Sequence, residues 1–407
     1  MKWVSLSTLT YSFERYWGVS LSSIFFFYFA AKVSTESVAL FAYYQAILAI
    51  LSAFALQCLD PLIQRELVSR PEDRADILGG ALLLKFVSLV VFLVVISLIL
   101  IFTNAEQAVL LLIMGTAIVF SSFKFISSTF NVAGKHVHYM VLGVLGSTVA
   151  FLYKLLVLHS SDTLTLYATF FVADSFSLCV LYWGGAKFTS NTGFTYNKNF
   201  MLHLFREGRF LILSSFVLLA SARIDQLVVG TYGNSVMMAN YAMAVKCIGF
   251  FVLASSAFNL GYAQKLNKNT EQYRQSVRAL LSETFVAGTI MTLLGAVVSA
   301  IFLNYVFGDK YPNAYQYALG LSPIIFFSYF LSSTGRILVV EGLTKVAFKR
   351  NVYALTLNAL LSFWLMKIFG VYGVIVASVL SLAFGSVLFL VIDREARCTF
   401  KGLLYDT

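Results

Sequence analysis

The chain has 407 residues, of which 59% are hydrophobic and only 12% charged, and its mean hydropathy is +0.82. Soluble domains carry about 25% charged residues, so the composition excludes a soluble globular protein and predicts an integral membrane protein rich in Phe and Tyr. The net charge of +10 is read as cationic loops that set topology, not as a surface for nucleic acid.

A spanning helix needs about 20 mostly apolar residues, and twelve such runs follow one another along the chain. The first, 10–32, is interrupted early by Glu14 and Arg15 and shows no signal-peptide cleavage pattern. Arg15 is placed either to snorkel or to line a cavity mouth. Spans 38–59, 77–102 and 108–130 follow, and Lys85 and Lys124 lie near inner ends, where a lysine stem reaches the interface. Span 138–158 holds Lys154 near its outer end, again a snorkelling position. Span 163–186 holds Asp174 near its centre, as a proton-site candidate or a salt-bridge partner.

The longest connection, from Lys187 to Gly208, divides the chain. The expected domains are an N-terminal six-helix bundle, 1–190, a cytoplasmic linker, 191–208, and a C-terminal six-helix bundle, 209–407. The seventh span, 209–231, contains "SARIDQLVVG" (221–230). Residues 210–222 are too few to cross the hydrocarbon, so the helix is expected to run on through Arg223 and Asp225. Two residues apart on a helix point about 200° apart, so these two do not pair with each other. Two readings stay open: a static salt bridge to another helix, or a cavity-facing site.

In span 236–263, Lys246 lies too deep to snorkel and is read as a cavity residue. After 279–307 comes 313–341, where Gly320 and Pro323 should bend the helix. Arg336 in this span lines a cavity, snorkels, or pairs with Glu341. Spans 346–368, with Lys367 near its outer end, and 370–392 complete the set.

Of 29 Lys and Arg, nineteen fall on the side of the termini, two (Lys32 and Lys310) on the other, and eight within spans. The nineteen include Lys2, Lys265, Lys268 and Arg350. The bias places both termini in the cytoplasm. The opposite loops, such as "NAEQ" and "HSSDT", are short.

The halves repeat weakly. "SVALFAYYQA" (37–46) matches "SVMMANYAMA" (235–244) at Ser37/Ser235, Val38/Val236, Tyr43/Tyr241 and Ala46/Ala244, and "NAEQAVLLL" (104–112) matches "NAYQYALGL" (313–321). Both pairs are shifted by six helices, which preserves orientation and defines a parallel repeat.

No GxxxxGK[ST], HExxH or Cys/His metal cluster is present. Cys58, Cys179, Cys247 and Cys398 are scattered small residues rather than a disulfide frame. His136, His138, His159 and His203 fall in or near loops and are expected in solvent. Cations outnumber acids at depth, which suits an anionic cargo such as a phosphate or pyrophosphate headgroup.

The run "RIDQLVVGTYGNSVMMANYAMAVKC" (223–247) resembles the helix 7–8 hairpin of polysaccharide repeat-unit flippases of the Wzx type. These belong to the MOP superfamily, with MATE drug exporters and lipid II flippases. "FGDKYPNA" (307–314) resembles that family's outer turn between helices 9 and 10, and "FGVYGVIVASVLS" (369–381) its entry into helix 12. The resemblance implies an all-α fold of two six-helix bundles, V-shaped around a central cavity. It implies movement of undecaprenyl-pyrophosphate-linked oligosaccharide, of O-antigen or capsule type, across the bacterial inner membrane. Transport would be driven by a proton or sodium gradient or by membrane potential, with no bound cofactor. Arg223 and Asp225 fall at the family's "RxD" position.

On that reading Arg223, Lys246, Arg15 and Arg336 bind the cargo, while Asp225 and Asp174 couple ions or hold those cations. The partners are the lipid-linked oligosaccharide and the membrane, with a polysaccharide polymerase and a chain-length regulator as candidates. Twelve spans distinguish the chain from fourteen-helix relatives. The alternatives are a membrane-embedded polymerase or ligase, against which the short outer loops count, and a MATE-type small-molecule exporter, whose cationic cargo would prefer an acidic cavity.

Overall fold

A computed structural model describes residues 6–101, 105–160, 164–189, 193–261, 266 and 273–404. Lys2, Lys265, Lys268, residues 191–192 of the expected linker, and parts of the "NAEQ" and "HSSDT" loops lie outside them. Every regular element among the described residues is a helix. In hydrocarbon, backbone N–H and C=O groups have no water to bond, and a helix satisfies them within the segment.

In chain order the helices are α1 (Leu6–Lys32), α2 (Thr35–Leu51), α3 (Asp60–Ser69), α4 (Arg74–Ile101), α5 (Ala105–Phe123), α6 (Ser128–Val132), α7 (His136–Ser160) and α8 (Leu164–Thr189). They continue as α9 (Lys198–Ser221), α10 (Ile224–Tyr232), α11 (Ser235–Gly261), α12 (Tyr273–Phe307), α13 (Ala314–Leu321), α14 (Pro323–Val340), α15 (Thr344–Phe369), α16 (Val371–Ala383), α17 (Phe389–Ile392) and α18 (Arg394–Leu404). Ten stretches are long and apolar enough to cross a membrane, and the bent pair α9–α10 makes eleven. The protein is therefore a multi-pass membrane protein. Helix α1, 27 residues long, is not among these stretches.

The punctuation follows local chemistry. Pro61 opens α3 and Pro323 opens α14, positions where the missing N–H costs nothing. Helix α13 stops at Leu321, so the expected interruption beside Pro323 is present. Ser34, Asn197, Asn234 and Asp393 each accept a backbone N–H three residues on, at 3.2, 3.0, 2.8 and 3.0 Å, and so cap α2, α9, α11 and α18.

Two features differ from the sequence expectation. Helix α9 starts at Lys198, so much of the stretch expected as a linker is helical. The seventh span is also not continuous: it breaks between Ser221 and Ile224, and α9 and α10 meet at 43°. No Pro or Gly marks this break, and Arg223 takes the non-helical backbone (φ −134°, ψ −8°) that starts α10.

The chain forms two compact units. The first is built from Ser5–Val33 and Tyr44–Leu219, the second chiefly from Ser34–Tyr43 and Ala220–Thr407. Within the first, α1 packs on α7, α7 on α8, α8 on α5, and α5 on α4. Within the second, α10 packs on α15, α15 on α16, α16 on α14, and α14 on α12. These four pairings follow the same order in both units.

The sidedness of the helices is that of a protein in lipid. On α12 the buried face carries Thr284, Gly288, Gly295 and Ser299, while Ile290, Leu293, Leu294 and Val297 are exposed. Small residues let helices approach and apolar ones face acyl chains. Thr284 and Ser333 share a hydrogen bond at 2.8 Å across α12 and α14.

Candidate functional site

The break before α10 exposes backbone that needs partners. The Ser221 carbonyl accepts from Asn358 Nδ2 of α15 at 3.4 Å, and Asn358 is itself buried. Asp225 enters the first turn of α10, where a carboxylate complements the helix dipole. It is buried, accepts the Tyr241 hydroxyl at 2.6 Å and the Gln226 N–H at 2.8 Å, and forms no ion pair among the described residues. Tyr43 reaches α10 as well: its hydroxyl lies 3.3 Å from Thr231 Oγ1, and a Cβ on Gly230 would run into its ring. The two tyrosines matched in the sequence repeat thus both hold this nine-residue helix.

Arg223 is half-buried, and its side chain has no hydrogen bond or ion pair to another side chain among the described residues. Arg336 on α14 is half-buried in the same condition, without a bond to Glu341. Lys246 is half-buried on α11 and engaged with its surroundings. Arg350, assigned above to an inner helix end, is instead 4% exposed, and its Nη1 donates to Thr334 Oγ1 at 3.1 Å. Its guanidinium lies over Gly335, where the absence of a side chain leaves room. The second unit therefore carries four cations within its helices, Arg223, Lys246, Arg336 and Arg350. Guanidinium groups present forked donors that match phosphate oxygens.

In the first unit the lysines behave differently from the snorkelling expectation. Lys154 is buried and its Nζ lies 2.5 Å from Asp174 Oδ2, so Asp174 is a salt-bridge partner. Lys85 is 1% exposed and donates to Asp60 Oδ1 at 3.0 Å and to the carbonyls of Ala55 and Leu56 at 3.2 and 3.3 Å. Those carbonyls lie just beyond α2, where Leu56 takes a left-handed backbone (φ 51°) and its carbonyl also accepts the Leu59 N–H at 3.1 Å. Distance to the interface invited the snorkelling reading, but a nearby carboxylate in low dielectric is the better partner. Lys367 is exposed, with its Nζ 4.2 Å from the Phe363 ring centroid, as a snorkelling lysine should be.

Arg15 is exposed on α1 and belongs to the first unit, whereas the other three proposed cargo residues belong to the second. Its neighbour Glu14 accepts the hydroxyls of Tyr139 and Tyr182, each at 3.3 Å, whose rings stack at 5.3 Å and 3°. Sequence reading missed Tyr139, Tyr182, Tyr241, Asn358 and Arg350. The signal was polar atoms in apolar runs, which names a residue but not its partner.

Outside the spans, Glu66 of α3 is 5% exposed at its side chain and faces Arg65 at 2.8 Å, Arg70 at 3.8 Å and His203 of α9 at 3.8 Å. The Arg65 hydrogen bond holds the Glu66 carboxyl below the usual range. His203, expected in solvent, is thus part of a contact between α3 and α9.

The helices are of membrane-crossing length with charges at depth, and solved structures give the fold. The inward closed conformation of the lipid II flippase MurJ aligns with a TM-score of 0.69 at 16% identity, covering 95% of this chain and 87% of that one. A MATE structure in complex with MaD3S aligns at 0.65 and 14% identity, covering 98% and 96%. An outward-facing multidrug resistance MATE transporter of the MOP superfamily aligns at 0.64 and 15%, again covering 98% and 96%. The fold is thus the one these three structures share. A comparison with curated proteins gives no match. The family described as polysaccharide biosynthesis protein matches residues 15–248, more than half of the chain, and the chain belongs to that family.

Proposed function

We propose that this protein is a flippase for undecaprenyl-pyrophosphate-linked oligosaccharide repeat units of O-antigen or capsule type. On this reading it works by alternating access in the bacterial inner membrane, with both termini cytoplasmic and α1 as the twelfth span. The carrying observation is Arg223: a half-buried cation at a helix break within a span, left without a side-chain partner among the described residues, while Asp225 is held by Tyr241. A charge kept in a membrane segment is costly and marks a pathway by default. Arg223 and Arg336 then meet the pyrophosphate, with Lys246 and Arg15 along the route. Coupling to a proton or sodium gradient or to membrane potential is assigned to Asp225, since Asp174 is occupied by Lys154. The family and the likeness to a lipid II flippase support a lipid-linked cargo. A polysaccharide polymerase and a chain-length regulator are the partners that would receive it.

The test is deletion of the gene, complementation with wild type or Arg223→Ala, and analysis of lipid-linked sugars by membrane face. Single repeat units should accumulate on the cytoplasmic face in the deletion and in Arg223→Ala, with surface polysaccharide lost. Repeat units that reach the outer face but fail to polymerise overturn the flippase reading.

A further inference from the structure

Helix α18 is amphipathic in a specific way. Ala396, Phe400 and Leu403, spaced i, i+4 and i+7, are buried against a core that includes Val277, Leu280 and Val346. Arg394, Arg397 and Lys401 are exposed. Asp393 caps the helix directly after α17, so α18 begins where a membrane-crossing stretch ends. A helix of this composition lies in the interface, with its cations at headgroup level.

Beside it lies a slot of about 280 Å³. Its walls are apolar side chains, among them Leu281, Phe330, Leu390 and Val391. Arg397 and Lys401 border it through their aliphatic stems, and both residues are exposed. No acidic residue lines it. The slot runs beside a π-helical turn, Phe384–Leu388, inserted between α16 and α17. Such turns widen a helix locally and recur at functional sites. Thr334, the hydroxyl that receives Arg350 Nη1, also lines the slot.

We propose that this slot binds one anionic phospholipid of the leaflet in which α18 lies, with the phosphate between Arg397 and Lys401 and an acyl chain against Leu390 and Val391. Two cations one helical turn apart suit a phosphate and would gain nothing from a neutral surface. The apolar walls suit a chain, and a free phosphate would leave them uncovered. None of the proposed cargo residues lines the slot, and the proposal does not depend on the flippase reading.

The full-length protein in detergent would be titrated with phosphatidylglycerol and, separately, phosphatidylethanolamine of the same chains, and bound lipids counted by native mass spectrometry. Wild type should hold one phosphatidylglycerol at least tenfold more tightly than phosphatidylethanolamine. Arg397→Gln with Lys401→Gln, and Val391→Trp alone, should each weaken that binding at least tenfold. Arg397→Lys with Lys401→Arg should retain it, which separates lost charge from lost folding. Arg394→Gln, on the same helix but outside the slot, should leave it unchanged. Equal retention of both lipids, equal weakening by Arg394→Gln, or displacement of the lipid by glycerol phosphate at equal concentration overturns the proposal.

Discussion

Tyr241 of α11 donates its hydroxyl to Asp225 of α10 at 2.6 Å, and both groups are buried. This bond gives the acid of "SARIDQLVVG" a phenol donor, while no cation stands within ion-pair distance of it among the described residues. Hydrogen bonds to charged groups contribute about 1.5–3 kcal/mol. Tyr241→Phe should therefore lower the thermal stability of the purified protein by an amount in that range. Asp225→Asn, which keeps an acceptor for the phenol, should lower it less. Equal stability of Tyr241→Phe and wild type would show that the bond is not formed.

Arg223 gives the opposite expectation. Its side chain makes no hydrogen bond or ion pair to another side chain among the described residues, and substitutions away from such features stay within about ±0.5 kcal/mol. Arg223→Ala should reach the membrane at wild-type level and melt like wild type, yet lose at least tenfold in polysaccharide export. Arg223→Lys should recover part of it, since charge is kept and the fork is lost. A large fall in melting temperature would mark Arg223 as structural.

The Lys154–Asp174 pair joins α7 to α8 with one partner buried and the other partly exposed. Removing one member strands the other charge, and removing both does not. Because Asp174 is partly solvated, Lys154→Met should cost about 1–3 kcal/mol. The double variant Lys154→Met with Asp174→Leu should regain at least half of that loss. Additive losses in the thermal denaturation of the two single variants and the double would overturn the pairing.

Glu66 connects stability to pH outside the membrane. Its carboxyl is held below the ordinary value of 4.5 by Arg65. A depressed carboxylate stabilises the folded state fully above its unfolded value and loses that contribution as pH falls through the folded value. The melting-temperature difference between wild type and Glu66→Gln should be constant above about pH 5.5 and shrink progressively as pH falls below the unfolded value. Arg65 is exposed, so the effect is small, about 0.5 kcal/mol. A difference independent of pH between 3 and 7 would exclude it.

The helical class and the order of spans were legible because hydrocarbon leaves a chain few options: long apolar runs with scarce Pro must be helices. Asp174 was legible as a site of interest because charge at depth is rare. Its partner was not, since a one-dimensional string gives the depth of Lys154 but not the side of α7 that faces α8. The same limit hid Lys85, whose carbonyl acceptors, Ala55 and Leu56, lie where the backbone turns left-handed. The break at 221–224 was invisible for a different reason. Neither Pro nor Gly causes it, and its support, Asn358, lies on another helix more than a hundred residues on. Arg350 sat in a basic cluster that read as a loop flank, and only the close packing over Gly335 shows it turned inward.

The cysteines carry a practical consequence. Cys179 and Cys247 are buried, Cys58 is half-buried, and Cys398 is exposed on α18. The native chain thus offers one openly addressable thiol, next to Arg397 and close to the C-terminus. A maleimide that cannot cross bilayers, applied first to sealed and then to opened spheroplasts, reports which compartment that end occupies without an engineered cysteine. A fluorophore at the same sulfur would follow α18 while the rest of the molecule cycles.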